Sequence, residues 1–193
     1  ILMLNNSIPF IVTNQRDSYW KESFGTPVGG KTLAVIGAGN IGSAAARHAK
    51  NLGMTVLGVR RGGRPRRGVD EMFGPDELAK VLPRADFVLV TLPFTSETGG
   101  LIGRDEFAMM KKGAGFTNIG RGATVDYVAL AEMLESGHLS GAVLDAYAQE
   151  PLPSSSPLWG TRNLVLSPHC SSSDLKRYIP LTLDVTFENM ERF

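Results

Sequence analysis

Thr32-Leu-Ala-Val-Ile36, running straight into Gly37-Ala-Gly39-Asn-Ile-Gly42, is the stretch whose reading decides the fold. A short apolar run rich in β-branched residues reads as a buried strand, and the alanine-rich segment Ser43 to Leu52 behind the glycines reads as a helix. Gly37 allows the tight turn, Gly39 lets the backbone approach a pyrophosphate, and Gly42 lets the helix lie close on the strand. The helix that begins near Asn40 then directs free N–H groups at phosphate oxygens. Parallel-sheet proteins also turn tightly here for packing alone. The order strand, glycines, helix is what favours a dinucleotide site.

The next strand, Met54-Thr-Val-Leu-Gly-Val59, ends where a Rossmann fold usually places an acid that bonds the adenosine ribose hydroxyls. This chain has Arg60-Arg61-Gly-Gly-Arg64-Pro-Arg66-Arg67 there instead. An aspartate repels a 2′-phosphate, whereas a guanidinium pairs with it through charge-assisted hydrogen bonds. NADP(H) is therefore expected over NAD(H), with Arg60 and Arg61 ranked above Arg64. A solvated basic loop, a localisation signal or a nucleic-acid patch are the alternatives.

Apolar, β-rich runs recur at Asp86 to Leu92, Gly115 to Ile119, Ala142 to Leu144 and Asn163 to Leu166. Helix-like segments at Asn40 to Leu52, Pro75 to Leu82, Asp105 to Met110, Asp126 to Ser136 and Asp174 to Phe193 alternate with them or follow the last. The fold class is α/β, a Rossmann-type doubly wound parallel sheet covered on both faces. With 193 residues, 42% of them hydrophobic and 20% charged, the chain suits one well-buried soluble domain. A formal charge of +1 gives no global attraction to nucleic acid. One cysteine and three histidines supply neither a disulfide framework nor a metal cluster, which fits a cytoplasmic protein. No apolar run reaches membrane-spanning length. The chain opens without methionine on the apolar, helix-like stretch Ile1 to Trp20, so it is expected to be part of something larger.

Ligands of open parallel sheets bind beyond the carboxyl ends of the strands. There the sequence places Gly120-Arg121-Gly122, Asp145 with Glu150 shortly after, and Ser167-Pro168-His169, on three strand ends of one rim. A histidine that titrates near neutral pH, a carboxylate to orient and charge it, and a cation for an anionic substrate make a coherent reducing site. Each residue has a plainer reading: Arg121 as a solvated or capping residue, Asp145 as a turn former, Glu150 and His169 as surface groups. His48 reads as a helix-face residue and His138 as structural or exposed. A Cys170/His169 nucleophile is set aside, because neighbours on an extended segment point to opposite sides.

Four motifs, Thr117-Asn-Ile-Gly-Arg121-Gly-Ala-Thr-Val-Asp126, Gly141-Ala-Val-Leu-Asp145-Ala-Tyr-Ala-Gln-Glu150-Pro-Leu-Pro153, Pro157-Leu-Trp159 and Ser167-Pro-His169, closely resemble the D-isomer-specific 2-hydroxyacid dehydrogenases. The resemblance spans the whole chain. It implies a two-domain enzyme of which this is the cofactor part: 1–24 an interdomain helix and linker, 25–173 the dinucleotide domain, and 174–193 a helix leading back toward a substrate domain not encoded here. It assigns Arg121 to gripping the carboxylate and carbonyl of a small 2-oxo or 2-hydroxy acid, His169 to proton donation, and Glu150 to holding and charging the imidazole. Asp145 falls near the nicotinamide carboxamide, Asn40 and Ile41 at the pyrophosphate, and Pro93 and Thr98 on a cofactor-lining loop. Ile119, Gly120 and Arg121 fall on the nicotinamide side, and His169 counts with the cofactor set. The resemblance also implies a homodimer, as does the apolar start Ile1-Leu-Met-Leu, while the net charge and the lack of a spanning run lead to no nucleic-acid or membrane partner. Arg60 in the acid's place resembles NADP-preferring glyoxylate and hydroxypyruvate reductases. Tyr147, where phenylalanine is common, and Cys170-Ser-Ser are the other departures. The competing expectation is a dinucleotide-sensing, corepressor-like binding module. A methyltransferase-like nucleotide domain is weaker, since it leaves Arg121, Glu150 and His169 unexplained.

Overall fold

A computed structural model describes residues 1–171, 174 and 176–192. In chain order its regular elements are α1 (Leu2–Asn5), α2 (Ile8–Arg16), β1 (Thr32–Ile36), α3 (Asn40–Asn51), β2 (Thr55–Val59), β3 (Glu71–Phe73), α4 (Leu78–Val81), β4 (Phe87–Val90), α5 (Arg104–Met109), β5 (Ala114–Asn118), α6 (Tyr127–Glu135), β6 (Leu139–Leu144), β7 (Leu164–Leu166) and α7 (Tyr178–Met190). All neighbouring strands run parallel, in the order β3-β2-β1-β4-β5-β6-β7. The order reverses between β1 and β4, which makes the end of β1 the topological switch point.

Side chains alternate between two cores, because a strand's residues point to opposite faces in turn. Leu33 and Val35 of β1, Val56 of β2, and Phe87 and Leu89 of β4 pack on one face with Leu4, Ala46 and Ala49 from α1 and α3. Ala34, Ile36, Leu57, Val59, Val88 and Val90 pack on the other with Val81, Phe107, Leu130 and Leu134 from α4, α5 and α6. The sheet is thus covered on both faces, as continuous apolar strands require.

Several boundaries differ from the sequence expectation. The opening segment is two short helices, not one stretch to Trp20: Ser7 takes φ 54°, Pro9 lies in the first turn of α2, and the helix stops at Arg16. Proline suits that position because its missing N–H has no helical acceptor to lose. The helix expected over Pro75 to Leu82 is interrupted, with 3₁₀ turns at Pro75–Glu77 and Leu82–Arg84 flanking α4. Pro83 cannot donate in an α-helical ladder. β6 starts three residues before the expected Ala142, and the edge strand β3, of three residues, was too short to leave a periodicity in the sequence. β3 is held by backbone pairing to β2, Leu57 opposite Glu71 through Val59 opposite Phe73. Around the last helix, Ser173 at the expected domain boundary and Phe193 at the expected helix end lie outside the described residues. Among those described, α7 buries no residue, and Ile179, Leu181, Leu183 and Phe187 are exposed.

Candidate functional site

The glycine turn lies at the switch point. Gly37 takes φ 103°, a conformation open to glycine alone among ordinary residues at this cost. Its N–H and that of Ala38 both donate to Val59 O, at 2.9 and 3.0 Å. A Cβ on Gly42 would stand 2.5 Å from Gly37 O and 2.9 Å from Thr91 Oγ1, so the close approach of α3 to the turn excludes any side chain. Thr91, at the end of β4, donates from Oγ1 to Gly37 O at 2.7 Å and fastens the turn to the neighbouring strand. Around Gly39 the space is open, with no atom nearer to an added Cβ than 3.9 Å. Gly39 is also the N-cap of α3 and brings no side chain to its first-turn N–H groups, which therefore stay free for an anion. Asn40 and Ile41, the first residues of α3, are exposed.

From this turn a groove of about 260 Å³ runs between the loops after β2 and β4, lined by Gly37, Gly39, Arg60, Arg61, Pro93 and Thr98 among others. Arg60 is half-buried, its backbone N–H tied to Phe73 O at 3.1 Å. Arg61 is exposed and donates from Nη1 to Glu97 Oε2 at 3.0 Å. Thr98 Oγ1 donates to Pro93 O at 2.7 Å and accepts from Thr95 N–H at 2.8 Å, so the loop facing the arginines has a fixed shape. Uncapped amides and an open glycine at the turn fit the pyrophosphate of a dinucleotide, and Arg60 and Arg61 line the same groove.

Arg121 follows β5 and is exposed. The glycines beside it have structural reasons. A Cβ on Gly120 would meet Leu92 O at 2.6 Å, and one on Gly122 would meet the backbone of Tyr147 and Ala148 at 2.0 and 2.3 Å. The loop carrying Arg121 is therefore pressed against the ends of β4 and β6 together. Arg121 Nη1 donates back to Gly120 O at 2.8 Å. Asn118 supports the loop from below, accepting from Gly120 N–H at 2.9 Å and donating to Arg121 O at 3.2 Å. Ile119 is half-buried and Gly120 is buried.

His169 and Glu150 meet at the ends of β7 and β6, Nδ1 to Oε2 at 2.7 Å, both about two-fifths exposed. The hydrogen bond with His169 is the largest cause holding the Glu150 carboxyl below its ordinary pKa. Tyr147 N–H, which donates to Oε1 at 2.8 Å, and the charge of Arg121 act in the same direction. The histidine stands in a turn, with φ 50°, rather than on the extended segment assumed for Ser167 to Cys170. The alternation used to separate His169 from Cys170 therefore does not apply. Cys170 is an exposed free thiol whose own N–H is engaged by Asp145.

Asp145 and Glu150, read together from the sequence, have different partners. The Asp145 carboxylate is buried and accepts from Ser167 Oγ at 2.6 Å, Cys170 N–H at 3.0 Å, and Ser171 N–H at 3.1 Å and Oγ at 2.5 Å. Burial alone would raise its pKa, but these donors outweigh it and the net shift is downward. Asp145 thus fastens the turn that presents His169. Tyr147 adds a second tie, its hydroxyl donating toward Ser167 O at 2.9 Å and Leu144 O at 3.1 Å, and burial is the first cause pushing its pKa up to about 12. Beside the His169–Glu150 pair is a largely apolar cavity of about 630 Å³ walled by Tyr147, Leu152, Trp159 and Leu166. Elsewhere, His138 holds Phe107 O and Met110 O at 3.1 Å at the end of α5, a structural place, and His48 lies exposed on α3. Glu97 and Thr91 escaped the sequence reading, as did the ties of Ser167 to Asp145 and of the Tyr147 amide to Glu150, since only the fold brings them to their partners. Among the described residues no group of three His, Cys, Asp or Glu side chains could hold a metal, and no helix is long and apolar enough to cross a membrane.

A doubly wound sheet with a glycine turn and an open groove at its switch point defines a dinucleotide-binding domain. Residues 1–171 match the family profile described as D-isomer specific 2-hydroxyacid dehydrogenase, NAD binding domain, and the chain belongs to that family. It is 42% identical over 159 residues to glyoxylate/hydroxypyruvate reductase B of Pectobacterium carotovorum, covering 81% of this chain and 48% of that protein. A D-isomer specific 2-hydroxyacid dehydrogenase from Xanthobacter autotrophicus Py2, solved with NADPH and MES, superposes with a TM-score of 0.86 at 33% identity, over 99% of this chain and 79% of the other. An NADPH-dependent glyoxylate/hydroxypyruvate reductase from Sinorhizobium meliloti, solved with NADP and sulfate, gives 0.86 at 28% identity, over 99% and 62%. The chain spans about half the length of the curated relatives it matches. These similarities give no support to a dinucleotide-sensing module.

Proposed function

We propose that this chain is the cofactor domain of an oxidoreductase that moves a hydride between NADP(H) and a small 2-oxo or D-2-hydroxy acid. The observation that carries the reading is the His169–Glu150 pair on the rim that also holds Arg121 and the glycine turn. Gly37, Gly39, Gly42, Asn40 and Ile41 would hold the pyrophosphate, Arg60 and Arg61 a 2′-phosphate, and Pro93, Thr98, Ile119 and Gly120 the rest of the dinucleotide. Asp145, expected near the nicotinamide carboxamide, is buried and engaged by Ser167, Cys170 and Ser171, so it acts through the turn it fastens. When bound, the dinucleotide supplies or accepts the hydride.

The other steps belong to side chains of this chain. Arg121 pairs with the substrate carboxylate and aligns its carbonyl. Glu150 occupies Nδ1 of His169, which leaves Nε2 to deliver a proton to the carbonyl oxygen during reduction and to take it back during oxidation. The Glu150 carboxyl, held below its ordinary pKa, stays ionised and so keeps its hydrogen bond to Nδ1, which fixes the ring. Residues 1–24 and 174–193 belong, on this reading, to the connection with a substrate domain, with 25–173 as the cofactor domain. A cytoplasmic homodimer completes the proposal; the exposed Trp20 and Phe24, at 91% and 86%, are the kind of surface a second copy would cover.

The test offers glyoxylate, hydroxypyruvate, pyruvate and phenylpyruvate with NADPH and with NADH to the intact enzyme, and compares Arg60→Asp. NADPH oxidation with at least one acid is expected, with a cofactor preference of at least about tenfold that Arg60→Asp abolishes or reverses, since a charge-assisted hydrogen bond is worth roughly 1.5–3 kcal/mol. No oxidation with any acid would overturn the activity. Equal use of the two cofactors would overturn the NADP(H) assignment.

A further inference from the structure

We infer that Glu97 tunes how sharply the adenosine end of the groove discriminates a 2′-phosphate from a 2′-hydroxyl, by competing for the Arg61 guanidinium. The inference rests on the NADP(H) reading above and names a further specificity-determining residue for it.

Arg61 follows β2 and Glu97 lies on the loop after β4, the two strands that flank β1 in the sheet. Their contact, Nη1 to Oε2 at 3.0 Å, therefore bridges the mouth of the groove above the glycine turn, and both residues line that groove beside Arg60. The side chains are 78% and 65% exposed, so the pair is weakly held and can exchange partners. The backbone that carries Glu97 is fixed, so its carboxylate stays within reach of the groove mouth even when the pair opens. The Glu97 backbone N–H donates to Thr95 Oγ1 at 3.3 Å, in the loop already locked through Thr98.

A 2′-phosphate arriving at Arg61 would have to displace the carboxylate and then stand near it, two anions sharing one cation. A 2′-hydroxyl brings no such repulsion, and the carboxylate can accept its hydrogen bond. Glu97 thus opposes NADP(H) and tolerates NAD(H) on the same rim where Arg60 and Arg61 favour NADP(H). The basic run read from the sequence overstates the preference because it omits this acid, 36 residues downstream of Arg61.

Calorimetric Kd values for 2′,5′-ADP and 5′-AMP isolate this end of the groove, with NADPH and NADH as the full ligands, on the whole chain and its Glu97→Gln, Arg61→Gln and doubly substituted forms. Glu97→Gln is expected to tighten 2′,5′-ADP and NADPH about two- to fivefold, in keeping with an exposed ion pair, while leaving 5′-AMP and NADH unchanged or weaker. The gain should shrink in the Arg61→Gln background, because the two changes act on one contact, and at high salt, where the charges are screened. Equal effects on phosphorylated and unphosphorylated ligands, or weaker NADPH binding by Glu97→Gln, would overturn the inference while the NADP(H) reading stood. Equal binding of 2′,5′-ADP and 5′-AMP by the unsubstituted chain would instead overturn that reading and this inference with it.

Discussion

His169 shows what single residues must do here. Its backbone takes φ 50°, a region costly to most side chains, and it persists because the surrounding turn is over-determined. Asp145 fixes that turn on both sides of the histidine, through Ser167 Oγ on one and the Cys170 and Ser171 amides on the other. Glu150 fixes the ring through Nδ1. The imidazole is therefore oriented by two separate carboxylates, one acting on its backbone and one on its ring. His169→Ala in the intact enzyme should lower kcat about 10²- to 10⁴-fold, the range for a positioned proton donor. NADPH affinity should change little, because on the proposed assignment backbone amides and arginines at the other strand ends would hold the dinucleotide. Arg121→Ala should also collapse turnover, and with substrate affinity as well as rate reduced. Stopped-flow hydride transfer and fluorescence titration of NADPH separate the two quantities; wild-type turnover in either variant would remove the catalytic assignment.

At the scale of elements, the loop between β5 and α6 is where sequence and structure agree in outline and differ in content. That Arg121, Glu150 and His169 lie on one rim was legible, because strand ends of a parallel sheet share a side and three motifs each followed an apolar run. Why glycines flank Arg121 was not legible. Gly122 is forced by the backbone of Tyr147 and Ala148, which belongs to a segment 25 residues further on and meets the loop only once β5 and β6 pair. The same limit hid β3, the partners of Asp145 and the Arg61–Glu97 contact, all of which are long-range or too short to be periodic. The left-handed turn at His169 and the break of α4 before Pro83 are local, yet each depends on what surrounds it. Gly122→Ala tests the forced approach. With its Cβ due at 2.0 Å from Tyr147 C, the loops must separate, at a cost of at least about 1–3 kcal/mol in stability. Separation would also move Arg121 relative to His169, so turnover should fall further than the lost stability explains. Urea unfolding beside steady-state rates measures both, and an unchanged midpoint would show that the approach is not tight.

For the whole molecule, the rim opposite the candidate site is where the sheet is tied together, and the ties are carboxylates. Asp86 precedes β4; its Oδ2 accepts from Thr32 N–H at the start of β1 at 2.8 Å, and its Oδ1 accepts from Lys111, before β5, at 2.8 Å. Asp70 precedes β3; it accepts from Val56 N–H of β2 and from Lys50 of α3, each at 2.8 Å. Burial alone would raise the Asp86 pKa, but Lys111 and Thr32 outweigh it, and its value is lowered. The Asp70 value is lowered first by the hydrogen bond from Lys50, then by Val56. A carboxyl with a depressed pKa in the folded state binds fewer protons there than when unfolded. It contributes stability above its unfolded value of 3.8, and that contribution is lost as pH falls through the folded value. The melting temperature should therefore be insensitive to these groups from pH 7 to about 5 and should fall steeply below about pH 4. Asp86→Asn should cost about 1–2 kcal/mol at pH 7, discounted because the pair with Lys111 is partly solvated. It should cost progressively less on acidification, as the native Asp86 becomes neutral too. Thermal melts of the two proteins from pH 7 to pH 2.5 should converge at the acid end. Parallel curves over the whole range would mean that Asp86 holds the strand ends by shape alone, with its charge irrelevant to the sheet.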